Sequence, residues 1–416
     1  MTAGADELVV GASVEVEVGP VAHGGHCVAR HHGQVLFVRH TLPGERVRAV
    51  VTEIGPRGRF LRADAVEVLE AAPGRVERPC PWSGPGLCGG CDWQHVDLTA
   101  QRALKRAVIL EQFSRLADLD LTAHLGREVE VEAVPGDRDG LGWRTRVEFA
   151  VDQDGRPGLR RHRSHDIVPV DTCLIADPRV LGTGVLETIH PGSTAVDVIV
   201  PSVGEPVVVE VPDGPVPVVR ERVALSALTP PVGDLELEVS ARGFWQVHPG
   251  AARTFVSTVL DWLAPQPGER ALDLYAGVGV FAAALARRVG PQGMVTAIEG
   301  DRVATEHARD NLAASGWVEV VRDRVDRATR RLVRAGSTVD LVVLDPPRTG
   351  AGRQVCRDLA ALRPRAIGYV ACDPAALARD VGYLAEQGYT LTDLRAFDAF
   401  PMTHHMELVA VLHPTP

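Results

Sequence analysis

The chain lacks any apolar run approaching the roughly 18 residues needed to cross a membrane. Its first residues, MTAGADELVV, carry neither the basic stretch nor the apolar stretch of a secretory signal. A cytoplasmic protein with no membrane partner is therefore expected. Positive charge is not in excess either: the formal net charge is −10 over 416 residues. Weighed alone, that argues against nucleic acid as a partner, because phosphate contacts dominate such affinity. A local basic surface is enough, however. Arg144, Arg146, Arg156, Arg160, Arg161 and Arg163 fall in one stretch with His162 and His165, which reads as a solvated polar hairpin or as such a surface. There is no paired cysteine set. Seven cysteines (Cys27, Cys80, Cys88, Cys91, Cys173, Cys356 and Cys372) are an odd number, which in a cytoplasmic chain argues against a disulfide framework and towards metal binding or catalysis. Internal repeats and low-complexity tails are also missing. What remains is an ordinary globular composition, 45% hydrophobic and long enough for two or three domains.

The texture changes twice along the chain. Residues 8–70 read as short strands and turns: LVVGASVEVEVG alternates, VLFVRHTLPGE ends in a Pro-Gly turn, and VRAVVTEIG is β-branched. Strands at this spacing suggest a small β-barrel. Residues 73–95, PGRVERPCPWSGPGLCGGCDWQH, have neither a helical nor a strand period, so something other than regular structure must order them. The apolar spacing of 99–116 predicts an amphipathic helix, and 127–235 is again strand-rich and punctuated by Pro and Gly. From about 244, strands alternate with helical stretches, the pattern of a doubly wound sheet. The last two runs, LTDLRAFD and HMELVAVL, have no helix between them and predict an antiparallel end to that sheet.

In LDLYAGVGVF, Gly277 and Gly279 allow a tight turn and close backbone approach to a ligand. Glu299 ends the next strand, 299 − 279 = 20 residues on, where a carboxylate can accept hydrogen bonds from a ribose diol. This loop alone also satisfies the nicotinamide fingerprint G-x-G-x-x-A. The discriminator is VDLVVLDPPRTG, which places Asp345-Pro346-Pro347 at a strand's carboxyl end. That turn is similar to the active-site loop of methyltransferases acting on nucleobases or amides and is not a dehydrogenase feature. AIGYVACDPAALARD places Cys372 at the end of the following strand and before a helix, whose N-terminus favours thiolate. Glu407, in FPMTHHMELVAVL, sits at the mouth of the last strand, where partial burial raises a carboxyl pKa towards a useful range for a general base. His404 and His405 are the neighbouring alternatives.

FWQVHPGAA, LDLYAGVGVF, LDPPRTG, YVACDPAALARD and HHMELVAVL, in this order along the chain, together resemble the RNA uracil-5 methyltransferase family. The resemblance implies a Cys372 nucleophile and a Glu407 base. It implies that Gln246, Tyr275, Gly277, Gly279, Glu299 and Asp345 bind S-adenosyl-L-methionine, and that Phe244 and Gln246 touch the target base. The chemistry agrees. Carbon 5 of uracil is a poor nucleophile until a thiolate adds to C6 and creates an enolate, and a base must later remove the C5 proton. Asp373 and His248 stand where the family usually has Asn, so the contacts to the uracil edge are the part in question.

Cys80, Cys88 and Cys91 lie in the structureless loop, and Cys173 in VDTCLIADP is the candidate fourth ligand. Spacing allows zinc or iron. CPWSGPGLCGGCDWQH followed by a distant C-L-x-x-x-P resembles the iron–sulfur branch of the family and implies a [4Fe–4S] cluster. GGHCVARHHGQVLFVRHTLPGERV resembles the TRAM domain, an RNA-binding barrel. The expected architecture is multidomain: an OB-like TRAM barrel over 1–72, a central α+β region with the cysteine cluster over 73–240, and a Rossmann-like class I methyltransferase domain over 241–416. The expected activity is formation of 5-methyluridine by a monomer acting on RNA, with 23S rRNA favoured and tRNA the alternative. A non-catalytic RNA-binding protein and a nicotinamide oxidoreductase with an iron–sulfur relay are the rivals from other classes.

Overall fold

A computed structural model describes residues 8–415. Five strands, β1 (Ser13–Val21), β2 (Cys27–His31), β3 (Gln34–Arg39), β4 (Arg46–Ile54) and β5 (Leu61–Glu70), close into a barrel in the order β1-β2-β3-β5-β4. Val14, Val16 and Val18 of β1 point inward and the residues between them outward, the period of two that a half-buried strand requires. Closure leaves no free edge. The predicted Pro-Gly-Glu turn follows β3. Its Glu45 is buried and accepts a hydrogen bond from the Leu42 N–H at 2.8 Å and from Arg75 Nη2 at 2.7 Å, which ties the barrel to the segment that follows.

Residues 71–97 carry turns and isolated bridges but no regular strand or helix. Helix α1 (Leu98–Ala117) starts where the Asp97 side chain accepts from the Ala100 N–H, and ends where Asp118 turns left-handed. It buries Leu104, Val108, Ile109 and Phe113. A short α2 (Leu121–Leu125) and strand β6 (Val131–Ala133) follow. Strands β7 (Arg146–Val151), β8 (Pro157–Arg160) and β9 (Ile167–Pro169), helix α3 (Pro178–Leu181), and strands β10 (Ala195–Ile199) and β11 (Val207–Val211) build an antiparallel sheet in the order β11-β10-β7-β8-β9. A hairpin of β12 (Val218–Val223) and β13 (Leu235–Ser240) leads out of it.

The remainder alternates as expected: α4 (Ala251–Leu263), β14 (Arg270–Leu274), α5 (Val280–Val289), β15 (Met294–Glu299), α6 (Arg302–Leu312), β16 (Val318–Arg322), α7 (Val325–Arg334), β17 (Leu341–Leu344), α8 (Gly352–Ala361), β18 (Ala366–Ala371), α9 (Pro374–Ala385), β19 (Tyr389–Asp398) and β20 (Glu407–Pro414). The sheet order is β16-β15-β14-β17-β18-β20-β19-β6. Strands β14 to β18 are mutually parallel; β20 runs antiparallel to both β18 and β19. Every residue of β17 and β18 is buried, because helices cover both faces. Helices α4, α5 and α6 share one apolar core, and α7, α8, α9 and α1 share the other.

Two features differ from the sequence reading. Strand β6 and helix α1 precede the antiparallel region in the chain, yet both pack on the C-terminal sheet, β6 as an eighth strand parallel to β19. The arginine-rich stretch is not simply solvated. Arg146 is largely buried, donating to Glu221 at 2.9 Å and to the Ala241 and Gly243 carbonyls, while Arg160, Arg161 and Arg163 line a cavity with the cysteines. Among the described residues no helix is long and apolar enough to cross a membrane.

Candidate active site

The strand order reverses at β14, which lies between β15 and β17, and in such sheets ligands bind at the carboxyl ends beside that switch point. A cavity of about 1210 Å³ opens there. Phe244, Gln246, Tyr275, Gly277, Glu299, Asp345, Cys372 and Glu407 all line it. Gly279, the remaining expected cofactor residue, lies just behind as the N-cap of α5, with φ +91°. A Cβ there would stand 2.8 Å from Leu312 Cδ1, so only glycine lets α5 and α6 approach. Tyr275 holds φ +60°, a left-handed backbone that is uncommon for a bulky residue and accumulates at ligand sites.

The Glu299 carboxylate accepts from the Gly277 N–H at 2.8 Å and from the Asp301 N–H at 2.7 Å. A carboxylate has about four lone-pair sites, so capacity remains for a diol at the cavity wall. Asp273, which sequence reasoning missed, is fully buried below the glycine turn. It accepts from the Ala282 N–H at 2.7 Å, and burial pushes its carboxyl up to about 8. The Asp of LDLYAG was the available signal.

Three groups of reactive type face one another across the floor of the cavity. Burial pushes the Cys372 thiol up to about 12, with the Glu407 and Asp345 carboxylates adding to the shift. The expected thiolate at a helix start is thereby corrected. Pro374 removes one N–H from the first turn of α9, Asp373 caps it, and burial among acids outweighs what the helix end offers. Glu407 is buried and raised well above the usual carboxyl range, first by burial and then by Asp345. Asp345 itself is raised to about 7 by burial.

The histidines sort differently from the expectation. His404 is engaged: its Nδ1 lies 2.6 Å from Asp92 Oδ2, and its backbone N–H points to the same carboxylate. His405 lines the cavity, and burial lowers it to about 3, so it is uncharged. His248 does not line the cavity. It is buried, stacks on Trp143 and accepts from the Gly250 N–H at 3.2 Å at the start of α4. Asp373 Oδ1 accepts from the Ala376 N–H at 2.8 Å, and its Oδ2 lies 3.0 Å from His23 Nε2. His23 and Arg348 are further residues at the nucleophile that the sequence did not single out. Arg348 stands in LDPPRTG, one place past the prolines; His23 gave no local signal.

Cys80, Cys88, Cys91 and Cys173 line a second cavity, of about 320 Å³, together with Arg144, Arg160 and Arg161. Among the described residues no group of three His, Cys, Asp or Glu is arranged to hold a single metal ion. The loop also reaches the active site: the Asp92 and Trp93 N–H groups both donate to the Met402 carbonyl at 3.0 Å, and Asp92 holds His404.

Comparison with known proteins shows the family. Residues 241–414 match the tRNA (Uracil-5-)-methyltransferase family model, and residues 7–66 match the TRAM domain. A 23S rRNA (uracil(1939)-C(5))-methyltransferase of Chromohalobacter salexigens is 36% identical over 94% of this chain and 87% of its own. An uncharacterized RNA methyltransferase of Streptomyces coelicolor is 50% identical over 98% of this chain and 94% of its own. The crystal structure of Pyrococcus abyssi tRNA (uracil-54, C5)-methyltransferase with S-adenosyl-L-homocysteine, 23% identical, has the same fold, with a TM-score of 0.67 over 95% of this chain and 100% of that one. The closed barrel is thus a TRAM domain, the C-terminal sheet a methyltransferase fold, and the chain belongs to the RNA uracil-C5 methyltransferase family as an S-adenosylmethionine-dependent enzyme.

Proposed function

We propose that this enzyme forms 5-methyluridine in 23S rRNA by covalent catalysis through Cys372. The observation that carries the reading is that Cys372, Asp345 and Glu407 open onto the same cavity as the glycine turn and Glu299. Glu299 would hold the ribose of S-adenosylmethionine, Gly277 and Tyr275 its chain, and Gln246 and Asp345 its reacting end. That cofactor supplies an electrophilic methyl group. Phe244 is 75% exposed at the rim and is placed to stack on an incoming base. The target uridine must leave its stack to expose C5 and C6. Sulfur of Cys372 then bonds to C6 as the thiol proton passes to the Asp345 carboxylate. The electron pair delocalised over C4 and C5 takes the methyl group at C5, and the bond from that methyl to the cofactor sulfur breaks to leave S-adenosylhomocysteine. Glu407, in its ionised form, removes the C5 proton, the S–C6 bond breaks as C5=C6 re-forms, and the sulfur recovers its proton from Asp345.

The rRNA target is favoured by the near full-length likeness to the Chromohalobacter enzyme. The first 72 residues would bind RNA and 241–416 would catalyse, with 73–240 between them. Mapping of 5-methyluridine in total RNA, with and without a functional copy of the gene, is the decisive measurement. Loss of one 23S rRNA site is expected. Loss confined to tRNA would replace the substrate and leave the enzyme class.

The four thiols that line one cavity have the donor chemistry of a [4Fe–4S] cluster. Cys80, Cys88, Cys91 and Cys173 would hold it and would have to shed their protons, now retained through burial at Cys88, Cys91 and Cys173. Protein purified without air should be brown and contain iron and sulfide. Colourless protein with stoichiometric zinc would refute the cluster.

A further inference from the structure

The barrel does more than approach the catalytic sheet. Its β1–β2 turn, Ala22–His26, enters the wall of the active site. Gly25 is left-handed at φ +83°, and a Cβ there would fall 2.5 Å from His404 Cβ. The Gly25 carbonyl accepts from Trp93 Nε1 at 3.0 Å, which fixes the turn to the cysteine loop. Beyond the glycines, His23 and Gly24 share a small cavity with Arg348, Cys372, Asp373 and His405. Cys372 therefore faces two spaces, the large cofactor cavity and this one, and His23, Gly24 and Gly25 of the N-terminal barrel form one wall of the second.

The contact that closes it is the His23–Asp373 pair at 3.0 Å, across 350 residues of sequence. Asp373 is the residue next to the nucleophile, and both of its oxygens are used: Oδ1 caps α9 and Oδ2 meets His23. An Asn here would keep the cap with its oxygen but meet His23 with an amide N–H, without the carboxylate's charge. The carboxylate holds His23 above the usual histidine range, and His23 in turn holds Asp373 below the usual carboxyl range. The pair is part exposed, with side chains 43% and 20% accessible, so its contribution to stability is small. A contact of little stabilising value, placed beside the reacting thiol, makes better sense as alignment.

We infer that His23 is a positioning residue for methyl transfer: through Asp373 it fixes the turn that presents Cys372, so that the TRAM barrel forms part of the catalytic site as well as an RNA-binding module. The inference rests on Cys372 being the nucleophile. An undocked barrel would leave the Asp373 side chain held only by its cap, and the Cys372 turn free to shift.

The test uses the full-length enzyme, labelled S-adenosylmethionine, and total RNA from cells lacking the gene, which contains the substrate whichever RNA it is. His23→Ala should lower kcat about ten- to hundred-fold, the scale of a small misplacement of a reacting group, with KM for RNA unchanged. His23→Gln, which keeps an N–H towards Asp373, should recover most of the rate. Adding His23→Ala to Asp373→Ala should cost nothing further, because Asp373→Ala has already removed the interaction. Unchanged kcat in His23→Ala, or full additivity with Asp373→Ala, overturns the inference; a rise in KM alone shows an RNA contact instead and overturns it too. If Cys372→Ala is as active as the wild type, the covalent reading itself falls and takes this inference with it. If Cys372→Ala is inactive and His23→Ala is normal, only the inference fails.

Discussion

Cys372→Ala should transfer no methyl group and form no covalent link to RNA, whereas Glu407→Gln should accumulate a protein–RNA adduct that survives denaturing electrophoresis. The two failures differ because the residues act at different bonds. Without sulfur no C6 adduct forms, and C5 never gains the electron density it needs. With Gln at 407, addition and methylation proceed, but the C5 proton stays and the S–C6 bond cannot break. RNA containing 5-fluorouridine should trap the wild type at the same stage, since fluorine does not leave as a cation. The buried setting sharpens the expectation. The Cys372 thiol, pushed up to about 12, is protonated near neutrality, so adduct formation should accelerate as pH rises through the neutral range. Peptide mapping of the trapped adduct decides the matter. An adduct on Cys356, which is fully buried in α8, or methylation by Cys372→Ala, would reject the mechanism while leaving the enzyme class intact.

Lys105→Ala should be the most destabilising single substitution on α1, by about 3–5 kcal/mol. Lys105 has no exposed side-chain surface and is paired with Asp398, which has none either. Its ammonium also donates to the Phe400 carbonyl at 3.1 Å and lies 6.0 Å from the centre of the Trp93 ring. Removing the lysine strands a carboxylate in the interior with, among the described residues, only the Arg102 ion pair at 3.5 Å. Replacing both partners by apolar residues, Lys105→Met with Asp398→Leu, should restore most of the loss, because the cost lies in the uncompensated charge. Denaturant unfolding of the three proteins measures this. A single-variant loss of less than about 1 kcal/mol would mean that the pair is hydrated like an exposed one. The segment after Asp398 leads to His404 and Glu407, so activity should fall with stability.

The parts of the site that were legible share a property: each is written in a few consecutive residues. Gly277 and Gly279 mark a turn, Asp345-Pro346-Pro347 a strand end, and Cys372-Asp373-Pro374 a helix start. The α1 helix was legible to within a residue at each end, expected over 99–116 and found at Leu98–Ala117, because its apolar spacing and Asp97 cap are local. What was not legible depends on who meets whom. His23 meets Asp373 and Lys105 meets Asp398 only after the chain has folded. The thiolate expectation failed for the same reason: a helix start shows in the sequence, but the burial and the two carboxyls that oppose ionisation do not. His248, which stands where the family usually has Asn, lies against Trp143.

Strand β6 sets a clock on biosynthesis. Val131 pairs with Ala396, a separation of 396 − 131 = 265 residues. At about 5–20 residues per second, a ribosome needs roughly 13–53 s to deliver the partner after β6 has been made. Throughout that interval β6 has no strand to join, and Lys105 waits for Asp398. The catalytic half is therefore assembled at the end of translation or after it, while the barrel, complete by Glu70, has every partner it needs from the outset. A catalytic fragment begun at residue 241 would carry neither β6 nor Lys105. It would present β19 as a bare edge and Asp398 without its lysine, so this enzyme should resist dissection into a free-standing methyltransferase half.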